Sequence, residues 1–224
     1  MVRANDNTVG SNTRRPTKGK HLKPTRFIAR QLSRPTGLFG HFVGLLMNWH
    51  NARMNAFVVR QLDLCPSDRV LEIGFGGGVN LRSLIAGSAF MAGIDPSPDL
   101  IRRAKSTFAD ALSTNRAQFC EGSADRIPFE GSSFHKVCTV NTIYFWRSLE
   151  LGFAEIHRVL SPGGQLFVGF LPEEHMKRMG MPLDIFKLRS PEEVDAALTS
   201  AGFKNIRIER PEPTTPWNVM VATK

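Results

Sequence analysis

The stretch Val70-Leu71-Glu72-Ile73-Gly74-Phe75-Gly76-Gly77-Gly78 decides how this chain folds. Residues Arg69 to Ile73 read as a buried parallel strand, because apolar side chains crowd the segment instead of alternating with polar ones. The strand empties into a turn in which four of the five residues from 74 to 78 are glycine, and then into a helix carrying Leu81, Leu84 and Ile85. A turn at the carboxyl end of such a strand calls for positive φ and no Cβ where backbone lies directly against a ligand. Taken alone, it is also what any tight strand-to-helix connection looks like.

Two features narrow the ligand. The dinucleotide fingerprint wants glycine at 74, 76 and 79, whereas position 79 is Val and the third glycine comes early, at Gly78. A carboxylate, Glu72, stands two residues before the first glycine, and Ala89 to Ile94 reads as a second strand ending in Asp95. That spacing is about the one at which such folds put an acid on a ribose. The set suits an adenosine ligand better than a pyrophosphate.

Four segments together carry a family resemblance. They are Leu71-Glu72-Ile73-Gly74-Phe75-Gly76-Gly77-Gly78, then Gly93-Ile94-Asp95-Pro96-Ser97, then Ile127-Pro128-Phe129 with Ser133-Phe134, then Arg158-Val159-Leu160-Ser161-Pro162-Gly163-Gly164. In this order the chain resembles a class I S-adenosylmethionine-dependent methyltransferase, most like the branch that includes the ubiquinone and menaquinone methyltransferases, over residues 60 to 224. The resemblance implies an α/β fold: a Rossmann-like seven-stranded sheet of order 3-2-1-4-5-7-6, last strand antiparallel, with helices on both faces and an N-terminal helical lid. It also implies S-adenosyl-L-methionine as cofactor, a helical cap over the active site (22–64) and the Rossmann-like core (65–224), while residues 1–21, rich in Asn, Thr, Arg, Lys and Gly with almost nothing to bury, read as a disordered basic tail.

The expected cofactor site comprises Glu72, Gly74, Gly76, Gly78, Asp95, Pro96, Ser97, Ser123, Ala124, Asp125 and Asn141. Pro96 and Ser97 follow Asp95 directly, so their backbone borders the ribose and adenine. Family members often have an acid where Ser123 stands; here Asp125, or Ser123 with the Ala124 backbone, takes that contact instead. Asn141 leaves the fourth strand, Lys136 to Val140, at the topological switch between strands one and four, where ligands gather in open α/β sheets. Its amide can bond the donor's amino group. Tyr144 and Trp146 follow it with aromatic faces for a cationic sulfonium or a flat acceptor, the competing reading being plain core, preferred for Phe145. The family's usual acid at position 135 is replaced by His135.

The net charge of +9 is uneven: residues 1–36 hold nine Lys or Arg against the single acid Asp6, so the rest is nearly neutral. The basic arm reads either as a solvated tail or as a patch for an anionic surface, lipid or nucleic acid. Residues 25–64 turn helical, and Leu38, Phe39, Phe42, Val43, Leu45, Leu46, Met47 and Trp49 make a segment apolar on nearly every face. Such a segment needs cover from the domain, a substrate or a bilayer surface. The polar residues Asn48, His50, Asn51 and Asn55 punctuate it. Cys65, Cys120 and Cys138 lack metal-ligand spacing and read as buried thiols of a reduced compartment, with no metal expected. No apolar run approaches a membrane span and no apolar signal core opens the chain, so a cytoplasmic protein is expected, membrane association being the alternative.

Further along, Ser97-Pro98-Asp99 starts a helix carrying Leu100, Ile101, Ala104, Phe108 and Leu112. Ala117 to Cys120 is the third strand, Leu149 to Leu160 a helix, Pro162-Gly163-Gly164 the turn into the fifth strand (Gln165 to Phe170), and 171–189 an irregular insertion able to close over the acceptor. Ser190-Pro191-Glu192-Glu193 is a capping box, Gly202 ends its helix, and Lys204 to Glu209 with Asn218 to Ala222 form a terminal antiparallel hairpin.

Methyl transfer from a sulfonium is an in-line displacement, and alignment does most of the catalysis. A hydroxyl acceptor wants a general base, for which His50, Tyr144 and His175 are the candidates; a neutral amine does not. Two acceptor classes stay open: a nitrogen or oxygen atom of a small molecule, and a phospholipid amine or quinone precursor reached at a membrane. A non-catalytic cofactor-binding protein or a nucleic-acid modifier is the further alternative, with nucleic acid disfavoured because no Asn/Asp-Pro-Pro-Tyr/Phe tetrapeptide follows strand four.

Overall fold

The computed structural model describes residues 52–179, 181, 183 and 185–224. The basic tail, the apolar segment Leu38 to Trp49 and His50 lie outside the described residues, as does most of the expected cap.

Seven strands, β1 (Arg69–Ile73), β2 (Phe90–Asp95), β3 (Ala117–Glu121), β4 (Phe134–Val140), β5 (Leu160–Phe170), β6 (Lys204–Glu209) and β7 (Asn218–Thr223), form one sheet. Its order is β3-β2-β1-β4-β5-β7-β6. Strands β1 to β5 pair in parallel, while β7 runs antiparallel to both β5 and β6. Order and direction are those expected from the sequence.

Alternate residues point to opposite faces, so each strand feeds two cores. Leu71, Val137, Leu166 and Met220 meet the helices Leu149–Val159 and Pro191–Ser200 on one face. Val70, Met91, Phe119, Cys138 and Phe167 meet the helices Leu81–Gly87 and Pro98–Thr107 on the other, together with the helical residues 52–61. Because β1 has β2 on one side and β4 on the other, the crossovers diverge there, and a crevice opens beyond the carboxyl ends of β1 and β4.

The Arg158 and Ile127-Pro128-Phe129 motifs meet each other. The Arg158 guanidinium donates to the Phe129 carbonyl at 2.8 Å, the Ile127 carbonyl at 3.0 Å and Glu155 Oε1 at 2.7 Å, while Glu155 Oε2 accepts from the Ile127 N–H at 3.0 Å. Two widely separated motifs are thus one staple between a loop and a helix.

Three local expectations are corrected. The helix after Ser97 ends at Thr107; Phe108, at φ −116° and ψ 34°, breaks it before a short helix, Ala109–Ser113. Pro162-Gly163-Gly164 is not a turn before β5 but a bulge inside it. Leu160 already pairs with Phe134, and the register then jumps to Lys136 opposite Gln165, so the extra residues loop out. Cys65 is exposed, whereas Cys120 is half-buried and Cys138 buried. The capping box behaves as read, with Ser190 Oγ accepting from the Glu193 N–H at 3.1 Å.

The helical residues 52–61 lie across β5 where it has no side chain. A Cβ on Gly169 would stand 3.1 Å from Met54 Sδ and 3.3 Å from Val58 Cγ2, and Phe57 packs on Trp217 with ring centroids 5.5 Å apart. Gly169→Leu should therefore lift this helix and cost about 1–3 kcal/mol. Chemical denaturation checks it: the midpoint falls if the helix sits on β5, and an unchanged midpoint in a folded variant would refute that packing.

Candidate functional site

The glycines of the turn divide their work. Gly74, at φ +69°, donates its N–H to the Ile94 carbonyl at 2.8 Å, and a Cβ there would lie 2.6 Å from Thr142 Cγ2. It is bare so that the loop leaving β4 can press against the loop leaving β1. Thr142 is fixed in turn by the Thr139 hydroxyl and by the Trp146 Nε1–H, which donates to it at 3.1 Å, while Thr139 Oγ1 donates to the Ile73 carbonyl at 2.9 Å. Gly76, at φ +52°, is different, because a Cβ built on it meets nothing within 4 Å among the described residues. Its backbone faces open space, as a ligand cradle requires. Gly78 closes the turn, its N–H donating to the Phe75 carbonyl at 2.8 Å.

Asp95 ties this turn to the exit of β2. Its Oδ2 accepts from the Gly76 N–H at 3.0 Å and its Oδ1 from the Ser97 N–H at 2.9 Å. Each oxygen keeps a further lone pair for a hydroxyl. Burial pushes the carboxyl above the ordinary aspartate value, with the two backbone N–H groups pulling the other way.

Glu72 is buried and only half satisfied. Asn80 Nδ2 donates to its Oε1 at 2.7 Å, while Oε2 is buried without a partner among the described residues. Loss of water around the charge pushes the carboxyl up to about 7; the Asn80 bond opposes this, and the nearby Asp95 adds to it. A buried carboxylate oxygen with nothing to accept from is a place for a cation.

Beyond β4, Asn141 stands at φ +56° with its N–H on the Gly169 carbonyl at 2.8 Å. Its carboxamide oxygen accepts from the Tyr144 hydroxyl at 3.1 Å, and its Nδ2 is buried without a partner among the described residues. Tyr144, a sequence candidate for general base, is corrected here. Its hydroxyl also bonds the Leu171 N–H and carbonyl, and burial drives the phenol above its ordinary pKa, so it stays protonated and braces the exits of β4 and β5. Trp146 is corrected likewise: its ring is buried against Phe153 with centroids 5.4 Å apart. Phe145, read as core, is the more exposed of the two and leans on Phe186.

At the end of β3, Ser123 Oγ donates to Asp125 Oδ1 at 2.6 Å, and Ala124 turns its side chain into the core. Ser123 is exposed and Asp125 half-buried, just after β3, whose Glu121 pairs with Asp95 and whose neighbour Gly122 donates its N–H to the Asp95 carbonyl at 3.3 Å. His175, the second candidate base, is half-buried on the helix Glu173–Arg178, and His50 lies outside the described residues. Among the described residues no cluster of three His, Cys, Asp or Glu could hold a metal.

Asn80 was missed by sequence reasoning. It is buried, and its amide joins Glu72 to Asn55 Oδ1, at 3.1 Å, on the helix at 52–61. The spacing of Leu81, Leu84 and Ile85 marked the helix but gave no reason to bury an amide at its start. Taken together, a lone carboxylate oxygen, a carboxamide with one atom to give, an acid with lone pairs to spare and an open glycine backbone fit the amino, carboxylate and ribose groups of S-adenosylmethionine.

Comparison with known proteins agrees. A family described as a methyltransferase domain matches residues 70–164. The uncharacterized methyltransferase YdaC of Bacillus subtilis is 27% identical over 175 residues, covering 74% of this chain and 92% of that one. A demethylmenaquinone methyltransferase of Chlorobaculum tepidum is 31% identical over 111 residues, covering 49% of this chain and 43% of that one. An S-adenosylmethionine-dependent methyltransferase of Mesorhizobium loti superposes with a TM-score of 0.61 at 16% identity, over 74% of this chain and 95% of that one. These likenesses support a class I S-adenosylmethionine-dependent methyltransferase, with S-adenosylmethionine as its cofactor.

Proposed function

We propose that the enzyme moves the methyl group of S-adenosylmethionine to a nitrogen or oxygen atom of a small-molecule acceptor seated beyond β4 and β5. The observation that carries this is the pair of buried, unpartnered polar atoms, Glu72 Oε2 and one end of the Asn141 carboxamide, beside the open Gly76 turn. In this reading Glu72 holds the cofactor's ammonium and Asn141 its amino-acid end. Asp95 takes the ribose hydroxyls, the Pro96 and Ser97 backbone lies along the nucleoside, and Ser123, Ala124 and Asp125 border the adenine. Residues 22–64 cover the acceptor, with 65–224 as the core. The cofactor supplies an activated methyl; the chain's own task is to align acceptor, methyl and leaving sulfur and to exclude water.

Of the two acceptor atoms, nitrogen is favoured. The Tyr144 hydroxyl is committed to Asn141 and Leu171, which leaves His175 as the histidine for a hydroxyl acceptor among the described residues at this end of the sheet. A neutral amine needs no base.

A second reading, a lipid acceptor taken from a membrane surface, is supported by Met179 and Leu183, 53% and 68% exposed, in the segment after β5. A relative named as a demethylmenaquinone methyltransferase and the basic arm favour it too. Among the described residues no helix is long and apolar enough to cross a membrane, so such an acceptor would be met at the surface.

Three outcomes are expected. Incubation with methyl-labelled S-adenosylmethionine and cell extract, followed by partition, leaves the label in small aqueous products; label in the organic phase would favour the lipid acceptor. Asp95→Ala weakens S-adenosylhomocysteine binding by about 1–3 kcal/mol in calorimetry, since ribose hydroxyls lose an acceptor; unchanged affinity in a folded variant would remove Asp95 from the site. Glu72 must ionise to hold an ammonium, so affinity for the same ligand climbs up to about tenfold per pH unit until pH passes about 7 and then levels. Glu72→Gln flattens that rise, and a slope that survives the substitution would assign the proton elsewhere.

A further inference from the structure

We infer that Asn55 and Asn80 are positioning residues that couple occupancy of the Glu72 pocket to the docking of the helix at 52–61. The inference rests on the reading of Glu72 as the group that meets the cofactor's ammonium.

One planar amide joins three elements. Asn80 Nδ2 carries two hydrogens, and both are used: one to Glu72 Oε1 at 2.7 Å, at the end of β1, and one to Asn55 Oδ1 at 3.1 Å, on the helix at 52–61. Asn80 itself immediately precedes the helix Leu81–Gly87. Glu72 and Asn80 are each 4% exposed and Asn55 8%, so water does not compete for these bonds. Because the two N–H groups are fixed in one plane, the acceptor on one side sets the direction in which the other points. Asn55 thereby orients the bond that Glu72 receives. With Oε1 held, the unpartnered Oε2 has a fixed direction for a ligand.

The remaining groups around Glu72 sharpen the dependence. Asp95 on β2 repels its charge, and Cys138 on β4 is a buried thiol held protonated by burial and by Glu72 itself. Neither steadies an ionised Glu72; the Asn80 N–H does. A cation at Oε2 favours the ionised carboxylate, and an ionised carboxylate bonds an N–H more strongly than a neutral one does. The Asn80 amide is then held more firmly and gives its second N–H to Asn55. Linkage makes the effect reciprocal: whatever helps the cofactor hold the helix helps the helix hold the cofactor. Met54 and Val58 anchor the same helix on Gly169 independently of Asn55, so the polar link can be cut without removing the helix's packing.

The full-length chain is titrated with S-adenosylhomocysteine between about pH 6 and pH 8 as wild type and as Asn55→Leu, which keeps the branched shape of the side chain and removes the acceptor. Affinity at the upper pH should fall by roughly three- to thirtyfold, and the midpoint of its pH dependence should move upward, as a poorly held Asn80 steadies Glu72 less. A substitution acting only on packing would leave the midpoint where it was. Hydrogen exchange on the wild type gives the second readout: the ligand should slow exchange across 52–61, and in Glu72→Gln that protection should be lost while protection at the end of β2 persists. This readout decides alone if Asn55→Leu does not fold. A folded Asn55→Leu with the wild-type affinity and midpoint, or no ligand-dependent protection at 52–61, would overturn the inference and leave the cofactor reading standing. Absence of binding by the wild type at every pH would instead overturn the Glu72 reading itself, and the inference with it.

Discussion

A carboxylate buried with half of its hydrogen-bonding capacity unused is the constraint on which the rest of this structure turns. Glu72 sits where water is excluded, with one oxygen on Asn80 and the other empty. Desolvating such a group opposes its charge, and its proton affinity rises until it titrates near neutrality. A positive partner at the free oxygen would offset that cost. The Gly76 backbone, left open, and the Asp95 carboxylate, fastened to the Gly76 and Ser97 N–H groups, surround the same end of the sheet. The tie through Asp95 joins the glycine turn to the exit of β2.

The far wall of the crevice is held by polar side chains in structural roles. Thr139, Thr142 and Trp146 link the Ile73 carbonyl to the loop after β4, and the bare Cα of Gly74 lets that loop come close. Tyr144 spans the exits of β4 and β5. With the phenol and indole used as braces, the described part of the site is better equipped to align reactants than to move protons. Chemistry whose electrophile arrives already activated needs little else.

Charge is distributed to match. The described body is nearly neutral, some of its acids and bases pair with one another, as Arg158 does with Glu155 and Lys136 with Asp68, and the excess of Lys and Arg is confined to the first 36 residues. Any attraction of the enzyme to an anionic surface would therefore act through that arm.

The order of strands, the glycine turn, the two acids and the motif that becomes the Arg158 staple were legible because each depends on local chemistry. A buried parallel strand must be apolar, a turn with positive φ wants glycine, and an acid at a strand end stands out against apolar neighbours. The sequence by itself determined the fold and the likeness to the methyltransferases. Which polar groups touch which was decided only by tertiary structure. Asn55 and Asn80 are 25 positions apart, and their bond exists because one helix crosses the bare Gly169 on β5. Tyr144 looked like a base until the exits of β4 and β5 were brought together and consumed its hydroxyl, and Pro162-Gly163-Gly164 looked like a turn until pairing at Leu160 required a bulge. Periodicity reports how a residue faces its own element; partners from other elements are set by how those elements pack.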